Sequence, residues 1–263
     1  MSFISDYIIR KNSYGEKVLS VFLTSGFPNK NNFTQLALQI LDAGADMIEI
    51  GFPFSDPLAD GPTIQYSSFR ALQNGVNIKL TLSYAEQIRK KSDKPIILMG
   101  YANPLLKYGV KNFAADAVNC GVNGIIVPDV PLDEYDDFYT NAFSELDVIL
   151  LAAPTTSDKR IKKIDELSKG FLYLVSTTGT TGRQIQDMEE SKSLVIKVSH
   201  LVTKNPLLVG FGIKSTQDAA LFAPYCNGVI VGSAIVKSLM MDNEDFRNTL
   251  TFVKEFKTSI NTK

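Results

Sequence analysis

Short apolar runs recur along the whole chain, each followed by a longer stretch of helical periodicity. Eight such runs are legible: Val18 to Thr24, Met47 to Ile50, Pro95 to Gly100, Gly124 to Val127, Val148 to Ala152, Phe171 to Val175, Leu207 to Gly210 and Gly228 to Val231. Between them lie the amphipathic stretches Asn31 to Ala43, Leu80 to Lys90, Phe113 to Cys120, Asp133 to Leu146, Asp158 to Ser168, Ser191 to Val202 and Thr216 to Phe222. This alternation predicts repeated βα units and a parallel sheet. Runs such as PIILMG, GIIVPD and GVIVGS are apolar at successive positions, as strands covered on both faces require, which argues against a sandwich. Closure leaves no strand edge to protect, so eight strands without a composition break predict a barrel. The expected fold is therefore α/β, a single-domain (β/α)8 TIM barrel over residues 1–263. An extra N-terminal helix over Phe3 to Ile9 is expected to plug its bottom, and Glu244 to Ile260 reads as the last outer helix.

Composition agrees with that picture and narrows the function. The chain has 263 residues, 44% of them hydrophobic and 21% charged; such barrels typically take roughly 250. With 27 basic against 28 acidic residues the net charge is -1, which supplies no broad positive field for nucleic acid or an anionic membrane. A small anionic ligand needs a local site. The only cysteines, Cys120 and Cys226, lack the paired spacing of zinc or redox centres and are expected to be reduced thiols. The start MSFISDYIIRKNSYGEK carries Asp6, Arg10 and Lys11 where a signal peptide needs an apolar stretch. No apolar run approaches the roughly 20 residues that span a bilayer. These features fit a bacterial cytoplasm, or a plastid stroma for a plastid-encoded protein. The single histidine, His200, falls on the helix before the seventh strand, away from the strand C-termini, and is expected to be structural. Transition-metal and Ser-His-Asp chemistry therefore rank low. The first-strand loop, Thr24-Ser25-Gly26-Phe27-Pro28, carries no nucleotide fingerprint.

In barrels of this kind the chemistry gathers at the strand C-termini. Glu49 interrupts the apolar end of the second strand. It either pairs with a lysine or a capping amide, or sits desolvated with a raised pKa suited to proton transfer; its place at a strand end favours the second. In the following loop Asp56 reads as a turn residue, while Asp60 either caps the next helix or faces the mouth opposite Glu49. The seventh and eighth strands end in Val209-Gly210-Phe211-Gly212-Ile213 and Val231-Gly232-Ser233-Ala234. Glycines in both loops, with a short helix starting near Ser233, predict a phosphate cradle of backbone amides in preference to two purely structural turns. The polar, glycine-hinged stretch from Ser176 to Arg183 suits a lid.

The segment IEIGFPFSDPLADG, residues 48–61, resembles the signature of tryptophan synthase alpha chains. Similar features recur at Phe22 to Pro28, Tyr101-Ala102-Asn103-Pro104, Pro128-Asp129-Val130-Pro131, Ala153-Pro154-Thr155 and the glycine loops, so the resemblance covers essentially the whole chain. It implies a lyase of L-tryptophan biosynthesis that cleaves indole-3-glycerol phosphate reversibly to indole and glyceraldehyde 3-phosphate, with no cofactor in this subunit. On that resemblance Glu49 protonates the indole carbon that loses its side chain and assists deprotonation of the adjacent hydroxyl. Asp60 holds the indole N–H and stabilises the cationic indolenine. The phosphate falls on amides around Gly212, Gly232 and Ser233, with Gly182 from the lid. Tyr173 lines the site beside Glu49, Thr181 approaches Asp60 on lid closure, and Phe22, Leu98, Ile126 and Ile230 form the indole slot or simply fill the barrel. The family also implies a partner, a pyridoxal-phosphate-dependent beta subunit in an alpha2-beta2 heterotetramer that receives the indole. Asp56, Asn103, Pro104, Asp129 and Pro131 are expected near that contact. The chain departs from the family at Thr177, where arginine is frequent, and at Thr180, where valine is more usual.

Two other readings share part of this pattern. A sugar-phosphate isomerase or epimerase has the glycine loops and a carboxylate pair without needing an indole slot. A catalytically silent regulatory subunit has no use for a costly buried acidic pair.

Overall fold

The computed structural model of the chain describes residues 2–175, 185–210, 212–243 and 245–261, with the side chains of residues 185–187 also left out of the description. Nine parallel strand segments form one sheet: β1 (Val18–Thr24), β2 (Met47–Gly51), β3 (Ile96–Met99), β4 (Gly124–Ile126), β5 (Asp147–Val148), β6 (Leu150–Ala152), β7 (Leu172–Val175), β8 (Leu207–Gly210) and β9 (Gly228–Val231). Their order is β5-β4-β3-β2-β1-β9-β8-β7-β6. The end segments β5 and β6 are two halves of one stave, broken at Ile149 because Ser168 Oγ takes the Leu150 N–H at 3.1 Å. Covalent continuity through Ile149 closes the ring, whose N–H still reaches Ile125 O at 3.0 Å. The eight predicted runs thus make a (β/α)8 barrel of eight staves.

The uniformly apolar strands resolve into two cores with a period of two residues, because successive side chains point to opposite faces. Leu19, Val21 and Leu23 of β1 and Ile48 and Ile50 of β2 pack outward against the helices. Val18, Met47, Ile97, Met99, Ile126, Tyr173, Leu208 and Ile230 face inward and fill the barrel. Each fully buried aliphatic side chain contributes roughly 1.5–3 kcal/mol, so both layers are needed to hold the staves.

The helical layer comprises α1 (Phe3–Ser13), α2 (Phe33–Asp42), α3 (Pro62–Gln73), α4 (Ile78–Arg89), α5 (Ala102–Tyr108), α6 (Val110–Asn119), α7 (Tyr135–Tyr139), α8 (Asp158–Leu167), α9 (Ile185–Leu201), α10 (Thr216–Phe222), α11 (Ser233–Met241) and α12 (Arg247–Ser259). Helix α1, capped by Ser2, inserts Ile4, Tyr7 and Ile8 into the interior core and so stoppers the N-terminal end. Gly124 makes room for it: a Cβ there stands 2.8 Å from Ile4 Cδ1 and 2.9 Å from Asp147 O. The stretch predicted as one helix from Asp133 to Leu146 is instead a 3-10 turn, Leu132–Glu134, followed by the five-residue α7. Its aromatic residues lower helix propensity and are spent on a cluster, Phe138 stacking on Phe143 at 6.1 Å. Helix α9 begins at Ile185 rather than Ser191, and α5 was not foreseen because Asn103-Pro104 reads as a turn. A proline in a helix's first turn forfeits no intrahelical bond, which is how α5 tolerates Pro104.

Candidate active site

Glu49 lies on β2 at the inward-facing register, opposite Phe22 of β1. Its side chain is fully buried, at 0% exposure. Ser20 Oγ donates to Glu49 Oε1 at 2.7 Å. Glu49 Oε2 has no hydrogen-bond partner among the described residues. Burial raises the Glu49 pKa from its ordinary value to about 7, against the opposing pull of the Ser20 hydrogen bond. A carboxyl without a counter-ion in a dry site exchanges its proton close to neutral pH, as acid–base catalysis needs.

Asp60 follows from the loop after β2. It is not the cap of α3: that position is Gly61, which makes no side-chain cap bond. Its Oδ2 accepts instead from the Tyr101 hydroxyl at 3.0 Å, and the Tyr101 oxygen in turn accepts the Ala59 N–H at 3.0 Å. One phenol therefore anchors both the carboxyl and the loop that carries it. Burial raises the Asp60 pKa to about 6, again offset by its hydrogen bond, here from Tyr101. Tyr173 on β7 faces the interior; burial, then the charges of Glu49 and Asp60, push its phenol well above the usual value. That dependence puts Tyr173 within electrostatic reach of both acids. Gly210 opens the space for its ring, since a Cβ there stands 2.4 Å from Tyr173 Cε2.

Asp60 lines a small cleft with Phe22, Thr24, Gly51, Phe52, Met99 and Gly100. Gly51 is required by the Phe22 ring, whose Cζ stands 2.5 Å from where a Cβ would be. Leu98, predicted to line the slot, instead packs in the outer layer between barrel and helices. Its neighbour Met99 faces inward and reaches the cleft. The correction follows from the two-residue alternation, which an unbroken apolar run conceals. Ile126 and Ile230 face the interior as predicted for barrel-filling or slot residues; Ile126 pairs with Met99 and Ile230 with Ser20.

At the other side of the mouth, Gly212 takes a positive φ of 80° and Gly232 precedes α11, whose first residue is Ser233. Gly232, the N-cap residue, makes no side-chain cap bond, and the first N–H groups of a helix have no intrahelical partner. Thr181, Gly182 and the rest of the predicted lid, with Thr177 and Thr180, lie outside the described residues, as does Phe211. Asp56, Asn103, Asp129 and Pro131 are exposed, and Pro104 is half-buried. Asp129 Oδ1 accepts the Ala102 N–H at 2.9 Å and so ties the start of α5 to the 129–131 segment. Leu58, beside Asp56, is 93% exposed.

His200 lies on α9 with Nδ1 2.8 Å from Ile196 O, away from the mouth. Among the described residues no group of three His, Cys, Asp or Glu is placed to hold a metal ion, and no helix is long and apolar enough to cross a membrane. Cys226 is buried and Cys120 half-buried, both free thiols. Sequence reasoning missed Ser20 and the Tyr101 hydroxyl as partners of the two acids; the one available signal was a serine within an otherwise apolar strand.

A closed (β/α)8 barrel with one carboxyl group buried in its interior and a second lining the cleft at its mouth, both raised toward neutrality, has the equipment of a barrel enzyme of the acid–base class. Residues 9–263 match the family model described as tryptophan synthase alpha chain. The chain is 42% identical over 261 residues to the tryptophan synthase alpha chain of Petrotoga mobilis, covering 99% of both. It is 42% identical over 234 residues to that of Flavobacterium psychrophilum, covering 88% of this chain and 92% of the relative. Among solved structures, tryptophan synthase subunit alpha from Legionella pneumophila superposes with a TM-score of 0.89 at 32% identity, covering 99% of this chain and 98% of that one. The chain belongs to the tryptophan synthase alpha chain family, whose reaction is the aldol cleavage of indole-3-glycerol phosphate.

Proposed function

We propose that this chain, acting as one barrel domain, cleaves indole-3-glycerol phosphate reversibly to indole and glyceraldehyde 3-phosphate, with Glu49 and Asp60 as its catalytic residues. The observation that carries the reading is Glu49: fully buried, one oxygen unpartnered among the described residues, with burial raising its pKa to about 7. Neutral Glu49 gives its proton to the indole carbon that bears the side chain, and the ring becomes an indolenine cation. The carboxylate then takes the proton of the adjacent glycerol hydroxyl as the carbon–carbon bond breaks. The bonding electrons return to the ring, releasing indole and the aldehyde. Asp60 accepts the indole N–H and stabilises the cation, a task for an ionised carboxylate that its lower pKa of about 6 suits.

The indole ring lies against Phe22, with Met99, Ile126 and Ile230 beneath and Tyr173 beside Glu49. The phosphate sits on amides at Gly212, Gly232 and Ser233, joined by Gly182, and Thr181 meets Asp60 when the lid closes. This subunit uses no cofactor. The family name supports a beta-subunit partner; we propose that it carries pyridoxal phosphate, docks over Asp56, Asn103, Pro104, Asp129 and Pro131 in an alpha2-beta2 assembly, and receives the indole. A cytoplasmic setting accords with the bacterial relatives. The test is indole release from indole-3-glycerol phosphate, with and without added beta subunit. Release that rises with the partner supports the reading; none under either condition refutes it.

A further inference from the structure

Ser20 is a polar residue on an inward face that is otherwise apolar, flanked there by Val18 and Phe22. It is fully buried, at 0% exposure. A buried hydroxyl without a partner is costly, and this one is committed to a single group, Glu49 Oε1 at 2.7 Å. Register explains the reach: β1 pairs Phe22 with Glu49 and Ser20 with Met47, so the hydroxyl stands two residues toward the barrel bottom from the level of Glu49. The carboxyl therefore extends down the stave, and its two oxygens are chemically unequal. Oε1 already faces a donor, whereas Oε2 meets none among the described residues.

We infer that Ser20 is a positioning residue for the proton transfer, its hydroxyl fixing Oε1 so that the mobile proton of Glu49 resides on Oε2. This rests on the function proposed above for Glu49. A hydroxyl that points its hydrogen at Oε1 opposes a second hydrogen on the same atom, so the neutral acid carries its proton on the far oxygen. The same bond favours the charged form and restrains the upward pull of burial. Without it the carboxyl has neither a fixed orientation nor a counterweight to desolvation. A serine serving only to fill space predicts none of this, because alanine nearly fills the same volume.

The test compares Ser20→Ala and Ser20→Thr with the wild type in two readouts. One is the pH profile of kcat/KM for indole release; the other is infrared titration of the Glu49 carboxyl band, assigned by its loss in Glu49→Gln. Ser20→Ala is expected to move the apparent pKa up by about one unit in both, the size of a single hydrogen bond to a charged group, with KM little changed. Ser20→Thr, which keeps the hydroxyl, is expected to restore the wild-type position. An unmoved band in Ser20→Ala, or an equal shift in Ser20→Thr, overturns the inference. Should Glu49→Gln keep full turnover, the function proposed for Glu49 falls instead, while the infrared titration still decides whether Ser20 governs the carboxyl.

Discussion

Two carboxyl groups three positions apart in the chain are both buried, and they are treated oppositely. Asp46, 3% exposed, accepts the Leu19 N–H at 2.8 Å and the Lys257 ammonium at 2.7 Å, with Lys11 at 3.5 Å. Lys257 also binds Lys17 O at 2.8 Å, so this charge ties α12 to the start of β1. Glu49, at the inward face of β2, receives one neutral hydroxyl and, among the described residues, no cation. The compensated charge serves the fold, and the uncompensated carboxyl has its pKa raised toward neutrality by burial. Desolvation decides between them only where no counter-ion answers it.

The contrast is broken most severely at the mouth. Asp60→Asn removes the charge proposed to stabilise the indolenine, and kcat/KM for indole release is expected to fall about 10³-fold, near 4 kcal/mol, with the fold retained by circular dichroism. At the fold end, Asp46→Ala is expected to cost about 3 kcal/mol in urea unfolding, because it removes the nearest carboxylate from Lys257 and leaves the Leu19 N–H unanswered. Its kcat is expected to stay near that of the wild type.

A comparable effect comes from Glu49 itself, with pH as the lever. Its folded pKa, about 7, lies above its unfolded value near 4.5, so the folded state binds the extra proton. The native state is therefore favoured at low pH, and that advantage is lost as pH rises from about 4.5 through 7, by about 3 kcal/mol in total. Glu49→Gln abolishes the loss: its stability relative to the wild type is expected to climb over that window and level off above it, as read by urea unfolding at several pH values. The smallest effect is at Tyr101→Phe, which frees Asp60 Oδ2 and the Ala59 N–H together. About a 10-fold fall in kcat/KM is expected, with the Asp60 titration moving upward.

Much of the barrel was legible because strand existence depends on local apolar runs, and all eight appear as staves. Facing was not legible where both sides of a strand are covered, which is why Leu98 was placed inward and Met99 overlooked. The break at Ile149 is not local in the sequence, because it depends on the Ser168 hydroxyl, 18 residues beyond the Leu150 N–H that it takes. Glu49 and Asp60 stood out as acids at a strand end and in its loop. Their partners did not: Ser20 lies 29 residues from Glu49 and Tyr101 lies 41 from Asp60, and only the pairing of β2 with its neighbours β1 and β3 brings each pair together. The helix expected from Asp133 to Leu146 failed for another reason, its aromatic residues being more strongly used in mutual packing than in helical repetition.

The uncompensated acid is tested most directly by Glu49→Gln, in a single assay of indole release from indole-3-glycerol phosphate at neutral pH. The account predicts a fall of about 10³-fold or more in a variant that unfolds no earlier than the wild type at that pH. Turnover within a few-fold of the wild type contradicts it.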